Sequence, residues 1–344
     1  MKIFHPYLFL GLLLLSCKSA RTDTVSDKNP QENTFRIAFG SCNRTDRENR
    51  FWDDVVTLQP DLWIWGGDNI YADTDDMQKM RAMYQVQKND PAYRSLTARV
   101  PVIGTWDDHD YGLNDGGAEF TARAESQQEF LDFLDVPRNS PRRDREGVYA
   151  SHTYTRPAGK VKVIVLDTRY FRTSLREDPK GERRYIPNEF GQGTVLGDAQ
   201  WAWLERELSG SDADFNVLVS SIQVLSDLHG FETWGNFPHE RERLIRLIGA
   251  SGAKGVFVLS GDRHISEFSR MVAESLPYPL VDFTSSGLTH AYRNFKGEPN
   301  PYRQGEVVFQ ESFGVVYLDF DTKQARFQIR AEGNAVLQEI TQKY

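Results

Sequence analysis

Six times along this chain a short apolar run breaks off abruptly into small and polar residues. Residues 35–39 run into Gly40-Ser41-Cys42-Asn43, residues 62–65 into Gly66-Gly67-Asp68-Asn69, and residues 100–104 into Thr105-Trp106-Asp107-Asp108-His109-Asp110. Farther on, 161–166 gives way to Asp167-Thr168-Arg169, 216–219 to Ser220-Ser221-Ile222-Gln223, and 255–259 to Ser260-Gly261-Asp262-Arg263-His264. Near-continuous apolar runs of this length are what strands covered on both faces look like.

Segments with helical period separate them, at 51–58, 75–86, 118–134, 199–208 and 240–248. Alternating strand and helix is the α/β pattern. In such sheets ligands bind beyond the strand C-termini, which is where all six polar clusters fall. The pattern changes toward the C-terminus, where 280–285, 305–310, 314–320 and 324–329 read as strands and Asp321-Thr322-Lys323 as a hairpin turn. These strands are expected to form a second, more antiparallel sheet packed on the first within one domain. Residues 138–160 and 173–195, rich in Arg, Pro, Gly and Asn, are expected as inserted loops near the site.

The N-terminus reads as export machinery rather than fold. Lys2 precedes the apolar stretch 8–15, which is short for a membrane span and runs directly into Ser16-Cys17. Leu14-Leu15-Ser16-Cys17 resembles a bacterial lipobox, so residues 1–16 are expected as a lipoprotein signal peptide and Cys17 as the acylated residue. Residues 17–34 are polar and aperiodic, a flexible tether, and 35–344 make a single domain. The location implied is that of an exported bacterial lipoprotein, in the periplasm or at the cell surface, held to the membrane at Cys17. The other reading is a cleaved signal peptide with an incidental cysteine. With Cys17 acylated, Cys42 has no disulfide partner, and a lone thiol in an exported protein points to reactivity, metal binding or burial. The net charge of −8, with no long basic run, disfavours a nucleic-acid partner bound through its phosphates. No obligate protein partner is evident.

Taken singly, the polar clusters are ambiguous. Asp262-Arg263-His264 is as consistent with a hydrogen-bonded loop pair as with a metal site. Asp107-Asp108-His109-Asp110 is either a solvated acidic loop or a set of carboxylates held by a cation, and flanking Trp106 and Tyr111 argue against simple exposure. Gly66-Gly67-Asp68-Asn69-Ile70-Tyr71 is either a capped tight turn or a close backbone approach followed by oxygen donors. Together, at one edge of the sheets, they supply thiolate, carboxylate, phenolate and imidazole. Such a mixed set suits a transition metal with neighbouring hard cations, and a centre of that kind suits phosphoester hydrolysis.

The motifs then resemble a known family. Phe39-Gly40-Ser41-Cys42-Asn43, Gly67-Asp68-Asn69-Ile70-Tyr71, Trp106-Asp107-Asp108-His109-Asp110, Leu166-Asp167-Thr168-Arg169, Leu196-Gly197 followed by Gln200-Trp201 and Trp203-Leu204, and Ser260-Gly261-Asp262 with His264 look like the PhoD family of alkaline phosphatases and phosphodiesterases, within the calcineurin-like metallophosphoesterase superfamily. They occur in the family's order from about residue 35 to about residue 320. The resemblance implies a four-layer α/β/β/α sandwich of the metallophosphoesterase type, and a centre of one Fe3+ with one or two Ca2+. It makes Cys42 and Tyr71 iron ligands, Asp68 a bridging ligand, and Asp107, Asp108, Asp262 and His264 further ligands. Asn114 is a calcium-ligand candidate. His109 matches the position that assists the leaving group. Arg169, with a structural salt bridge as its other reading, and Gln223 are candidates for substrate or supporting roles. No Arg-Arg pair precedes the apolar stretch, whereas a twin-arginine signal is common in that family.

The activity implied is hydrolysis of phosphate esters by metal-activated hydroxide. A phospholipase-type or wall-polymer phosphodiesterase of the same fold is the alternative, and Phe231, Trp234 and Phe237 would suit an apolar substrate if they are not core. A non-catalytic surface lipoprotein binding cations or polyanions is the alternative of another class.

Overall fold

The computed structural model describes residues 1–2 and 33–344, so the expected leader, Cys17 and the tether up to residue 32 lie outside the described residues. The strands are β1 (Thr34–Gly40), β2 (Leu62–Gly66), β3 (Val102–Thr105), β4 (Ala150–Arg156), β5 (Gly159–Val165), β6 (Arg176–Glu177), β7 (Tyr185–Ile186), β8 (Phe215–Val219), β9 (Val256–Ser260), β10 (Ser266–Met271), β11 (Leu280–Ser285), β12 (Arg303–Val308), β13 (Phe313–Asp319), β14 (Gln324–Arg330) and β15 (Val336–Lys343). The helices are α1 (Trp52–Leu58), α2 (Met77–Asn89), α3 (Pro91–Thr97), α4 (Asp108–Tyr111), α5 (Arg123–Phe133), α6 (Gly197–Ser209) and α7 (Pro238–Ala250).

Two large sheets form, in the orders β15-β14-β13-β1-β2-β3 and β12-β10-β11-β9-β8-β5-β4. Alternation along each strand explains the apolar runs. Phe35, Ile37, Phe39, Leu62 and Ile64 point inward to meet Val161, Val163, Val165, Val217 and Leu259 of the other sheet. Ala38, Trp63 and Trp65 point outward under Trp52, Tyr84, Tyr93 and Phe130 of the helices on that side. On the opposite side Ile164, Leu218, Val256 and Val258 lie under Trp201, Leu204, Leu244 and Ile248 of α6 and α7. The inner strands β2, β8, β9 and β11 thus bury both faces, and the layers run helix, sheet, sheet, helix. The expected sandwich is the one formed.

The division into a parallel and a C-terminal antiparallel sheet is not. β13, β14 and β15 extend the first sheet, with Phe35 opposite Leu318 in antiparallel register, while β11 and β12 join the second. Both sheets are therefore mixed, with parallel pairs at β1–β2–β3 and at β5–β8–β9–β11. Hydrophobic period marks a strand but carries no register to a partner nearly three hundred residues away. β4 also falls inside the segment expected as a loop at 138–160, because its polar sequence Ala-Ser-His-Thr-Tyr-Thr-Arg is that of an edge strand. Residues 173–195 hold only the short hairpin β6–β7.

Candidate metal centre

Cys42 follows β1, Asp68 follows β2, Asp107 and Asp108 follow β3, and Asp262 and His264 follow β9. These strands run parallel within their sheets, so their C-terminal ends deliver the side chains to one edge of the sandwich. The chain leaves the strands sharply. Cys42, Asp68, Asp262 and His264 have φ of 60°, 52°, 68° and 54°, a left-handed conformation that costs non-glycine residues about 1–3 kcal/mol each. Strain gathered on four expected ligands is what a site held together by its contents looks like. Gly67 permits a close approach: at its φ of 103° an added Cβ would lie 2.6 Å from Asp107 Cβ.

Two carboxylate groups come within bridging distance of common points. Asp68, Asp108 and His109 form one and Asp107, Asp108 and Asp262 the other, the ligand atoms of each lying within 4.8 Å of one another. Asp108 belongs to both. The first group is continued by Asp68 Oδ2, which accepts the Cys42 thiol at 3.3 Å and the Tyr71 hydroxyl at 3.2 Å. Thiol, phenol and carboxylates therefore form one connected set, with Asp68 joining the sulfur end to the all-oxygen end. His264 stands at the margin, its ring centre 6.4 Å from that of Tyr71.

The electrostatics show what is lacking. Burial pushes Asp107 up to about 8, although Arg169 opposes the shift. Burial also raises Asp68 and Asp262 well above the carboxylate range, assisted by Cys42 and Asp108 for the first and by Asp107 for the second. The Cys42 thiol is pushed up to about 11 by burial. Asp108 goes the other way, because Arg169 and His109 outweigh the effect of its burial. Asp107 Oδ2 is buried and accepts no hydrogen bond. A buried carboxylate oxygen without a donor is costly unless a cation meets it. The donor set and this orphaned oxygen fit metal ions: Cys42, Tyr71 and Asp68 offer soft and phenolic donors, while Asp107, Asp108 and Asp262 offer hard ones.

The surroundings were less legible. Asp110 takes no part in the ligand groups; its Oδ1 accepts the Asp107 N–H at 2.7 Å and the Asp68 N–H at 3.1 Å, clamping two ligand loops together. Asp73 Oδ1 lies 2.7 Å from His109 Nδ1, which fixes that ring, and a ring nitrogen comes within 4.8 Å of the carboxylate oxygens of Asp68 and Asp108. Burial acts to lower the His109 pKa, but Asp68 and the bond to Asp73 outweigh it and hold the group up at about 10. A carboxylate just past Tyr71 was the available signal for Asp73; nothing local distinguished Asp110 from its acidic neighbours.

Three expected residues fall elsewhere. Arg169 is fully buried, donating through Nε to Asp107 at 2.6 Å and through Nη1 to Glu232 at 2.5 Å. It positions Asp107, and its guanidinium is enclosed by protein rather than offered to a substrate. The reason is local: Asp167 Oδ1 accepts the Arg169 N–H at 2.9 Å, and Gln200 of α6 brackets the Asp167 backbone at 2.9 and 2.8 Å, turning Arg169 inward. Gln223 is buried and donates to Glu267 and Thr284, each at 2.9 Å, so it braces β10 and β11. Asn114 is exposed in the turn after α4, and none of the described hydrogen bonds ties its side chain to the cluster. Its neighbour Asp115 supplies the link instead, its N–H reaching Asp108 Oδ2 at 2.7 Å. Trp234 and Phe237 are core residues, leaving Phe231 as the exposed member of that trio.

The PhoD-like phosphatase family model matches residues 37–331. The chain belongs to the PhoD-like phosphatase family. Alkaline phosphatase D of Bacillus subtilis (strain 168) is 27% identical over 223 residues, 58% of this chain and 37% of that protein. The match thus spans little more than a third of that relative's length. The solved structure of PhoD superposes with a TM-score of 0.71 at 21% identity, covering 90% of this chain and 70% of that one. A dimetal phosphatase from Danio rerio gives 0.55 at 14% identity, covering 90% and 99%. These structures place the PhoD-like sandwich in the metallophosphoesterase fold.

Proposed function

We propose that this chain hydrolyses phosphate esters at the cluster of Asp68, Asp107, Asp108 and Asp262. The observation that carries the reading is the pair of carboxylate groups sharing Asp108, backed by an orphaned buried oxygen on Asp107. Metal ions held there would neutralise the phosphate and acidify an attacking water. The chain's own residues do the rest. Asp108 joins the two groups, Arg169 and Ser221 fix Asp107 Oδ1 at 2.6 and 2.7 Å, and His109 holds a proton for the departing oxygen. Family membership and the kinship with alkaline phosphatase D support this class of reaction.

The reading extends to metal identity. Iron is assigned to Cys42, Tyr71 and Asp68, and calcium to the oxygen donors of Asp107, Asp108 and Asp262. His264 is placed at the margin of the same set. The lipobox-like Leu14-Leu15-Ser16-Cys17 supports an exported, membrane-anchored protein.

Elemental analysis of the purified protein, with a panel of phosphomonoesters and diesters, tests the function. Asp68→Asn and His264→Ala are expected to lower turnover by several orders of magnitude while the circular dichroism spectrum is retained. Near-normal turnover in either variant contradicts the site. Cys42→Ala is expected to lose iron, its visible phenolate charge-transfer band and activity together. Retention of iron and rate would reduce Cys42 to packing. Fatty-acid labelling of the wild-type protein, and its loss in Cys17→Ala, tests the anchor.

A further inference from the structure

The segment from Ser285 to Tyr292 clasps the two halves of the site. Ser41 O accepts the N–H groups of Gly287 and Leu288 at 3.2 and 3.1 Å, and Cys42 O accepts that of Thr289 at 3.3 Å. On the other side the His264 N–H reaches Ser286 Oγ at 2.7 Å, and the Tyr292 N–H reaches His264 O at 2.7 Å. This clasp carries one imidazole that neither the ligand set nor the His109–Asp73 pair uses. The His290 ring centre lies 5.0 Å from that of Tyr71 and 4.5 Å from that of His264.

His290 Nδ1 is 3.1 Å from Thr289 Oγ1. That oxygen accepts the Arg44 N–H at 2.8 Å and can donate to Cys42 O at 3.3 Å, a carbonyl that also takes the Thr289 N–H. The Thr289 hydroxyl proton is therefore free to turn to His290 Nδ1 without orphaning the carbonyl. In that tautomer Nε2–H is an unused donor on a neutral, half-buried ring. Arg44, whose guanidinium lies 5.9 Å from the Tyr71 ring centre, is already held by Asp46 through bonds of 2.9 and 2.7 Å. Arg47 and Arg44 are the permanently cationic groups that act on the ring.

We propose that His290 is a substrate-binding residue, donating from Nε2 to an anionic oxygen of the phosphate bound beside Tyr71. The inference rests on the phosphoester reading above and adds to it a contact supplied by the clasp. Thr289 acts through His290, by setting the tautomer and the direction of the ring.

The test uses the metal-loaded protein, with His290→Ala, His290→Gln and Thr289→Val. Inorganic phosphate binding is measured by calorimetry, metal content by elemental analysis, and kcat and KM with one phosphomonoester. His290→Ala is expected to weaken phosphate binding and raise KM by about tenfold, the effect of one lost hydrogen bond to a charged group. His290→Gln, whose amide can donate, recovers part of the loss, and Thr289→Val falls between. Metal content stays at the wild-type value in all three variants and the thermal midpoint in the two His290 variants, while Thr289→Val, which also loses the acceptor of the Arg44 N–H, is read by phosphate binding and metal content. Loss of metal from His290→Ala would make the residue a ligand instead, and unchanged phosphate binding would make it packing; either result overturns the proposal. A wild-type protein that binds no phosphate and cleaves no ester overturns the phosphoester reading itself, which unaltered His290 variants of an active enzyme do not.

Discussion

Asp110 accepts the backbone N–H of Asp68 at 3.1 Å, so a carboxylate outside the ligand groups fixes the loop that presents one of them. The same Oδ1 takes the Asp107 N–H, while Oδ2 receives the Tyr84 hydroxyl at 3.2 Å and both nitrogens of Asn69. An amide in its place keeps one acceptor and turns an NH2 group toward donors. Asp110→Asn is expected to cost about 1–3 kcal/mol in stability and to weaken metal binding roughly 10- to 100-fold. Chelator competition followed by elemental analysis measures the second effect. A variant that holds metal as tightly as the wild type would remove Asp110 from the site's support.

Arg169 is paired with Asp107 and Glu232, and Glu232 in turn with Arg172 at 2.9 Å, all of them buried. Removing the guanidinium leaves two buried carboxylates facing each other's field. Arg169→Met is expected to destabilise the protein by about 3–5 kcal/mol, and Arg169→Lys to recover little because an ammonium cannot span both partners. Denaturant unfolding of the metal-free proteins reads this directly.

Asp73 raises the pKa of His109 and fixes its ring. Asp73→Ala is expected to lower kcat about tenfold or more, with little change in KM. Asp68 and Asp108 still raise the group, but with the Asp73 contribution gone the limb of the pH–rate profile at which His109 loses its proton moves to lower pH. A profile that falls in rate without moving would mean that Asp73 does not act through His109.

The metal-free protein is expected to lose stability as pH rises. Asp107 and Asp110 are lifted by burial to about 8 and about 7 in the folded state, so between the ordinary carboxylate range and those values the folded form holds protons that the unfolded form has released. His109, raised to about 10, contributes stability that is complete below its ordinary value and fades as pH climbs through 10, which has the same sign. His152, His229 and His290, held down to about 4, 3 and 3 by burial, act in the opposite sense below their ordinary value, so the test lies above it: the thermal midpoint of chelator-treated protein should be higher at pH 7 than at pH 9. A midpoint that rises from pH 7 to pH 9 without metal contradicts the assignment of these groups.

The strands that deliver the ligands were visible in the sequence because burial on both faces writes itself as an unbroken apolar run. Their C-terminal ends were visible because each run stops at glycine or a polar residue. That sufficed to place Cys42, Asp68, Asp107, Asp108 and Asp262 on one edge, where the structure brings them together. The supporting residues were hidden for a physical reason. Asp110, Glu232 and Ser286 are ordinary polar residues whose importance lies in the atoms they meet, and those atoms come from other loops.

Sequence alone thus determined which runs become strands covered on both faces, since hydrophobic period is local, and which donor types stand at their ends, since side-chain chemistry is local; the layered sandwich came from the family resemblance. Tertiary structure decided the rest. Which sheet received β13 to β15 depended on pairing across the whole chain, as Phe35 with Leu318 shows. That Arg169 turned inward to Asp107 while the His109 ring was fixed at Nδ1 depended on Asp167, Glu232 and Asp73 arriving from separate loops. Hydrogen bonds and ion pairs act over a few ångströms in space, and distance along the chain does not encode that separation.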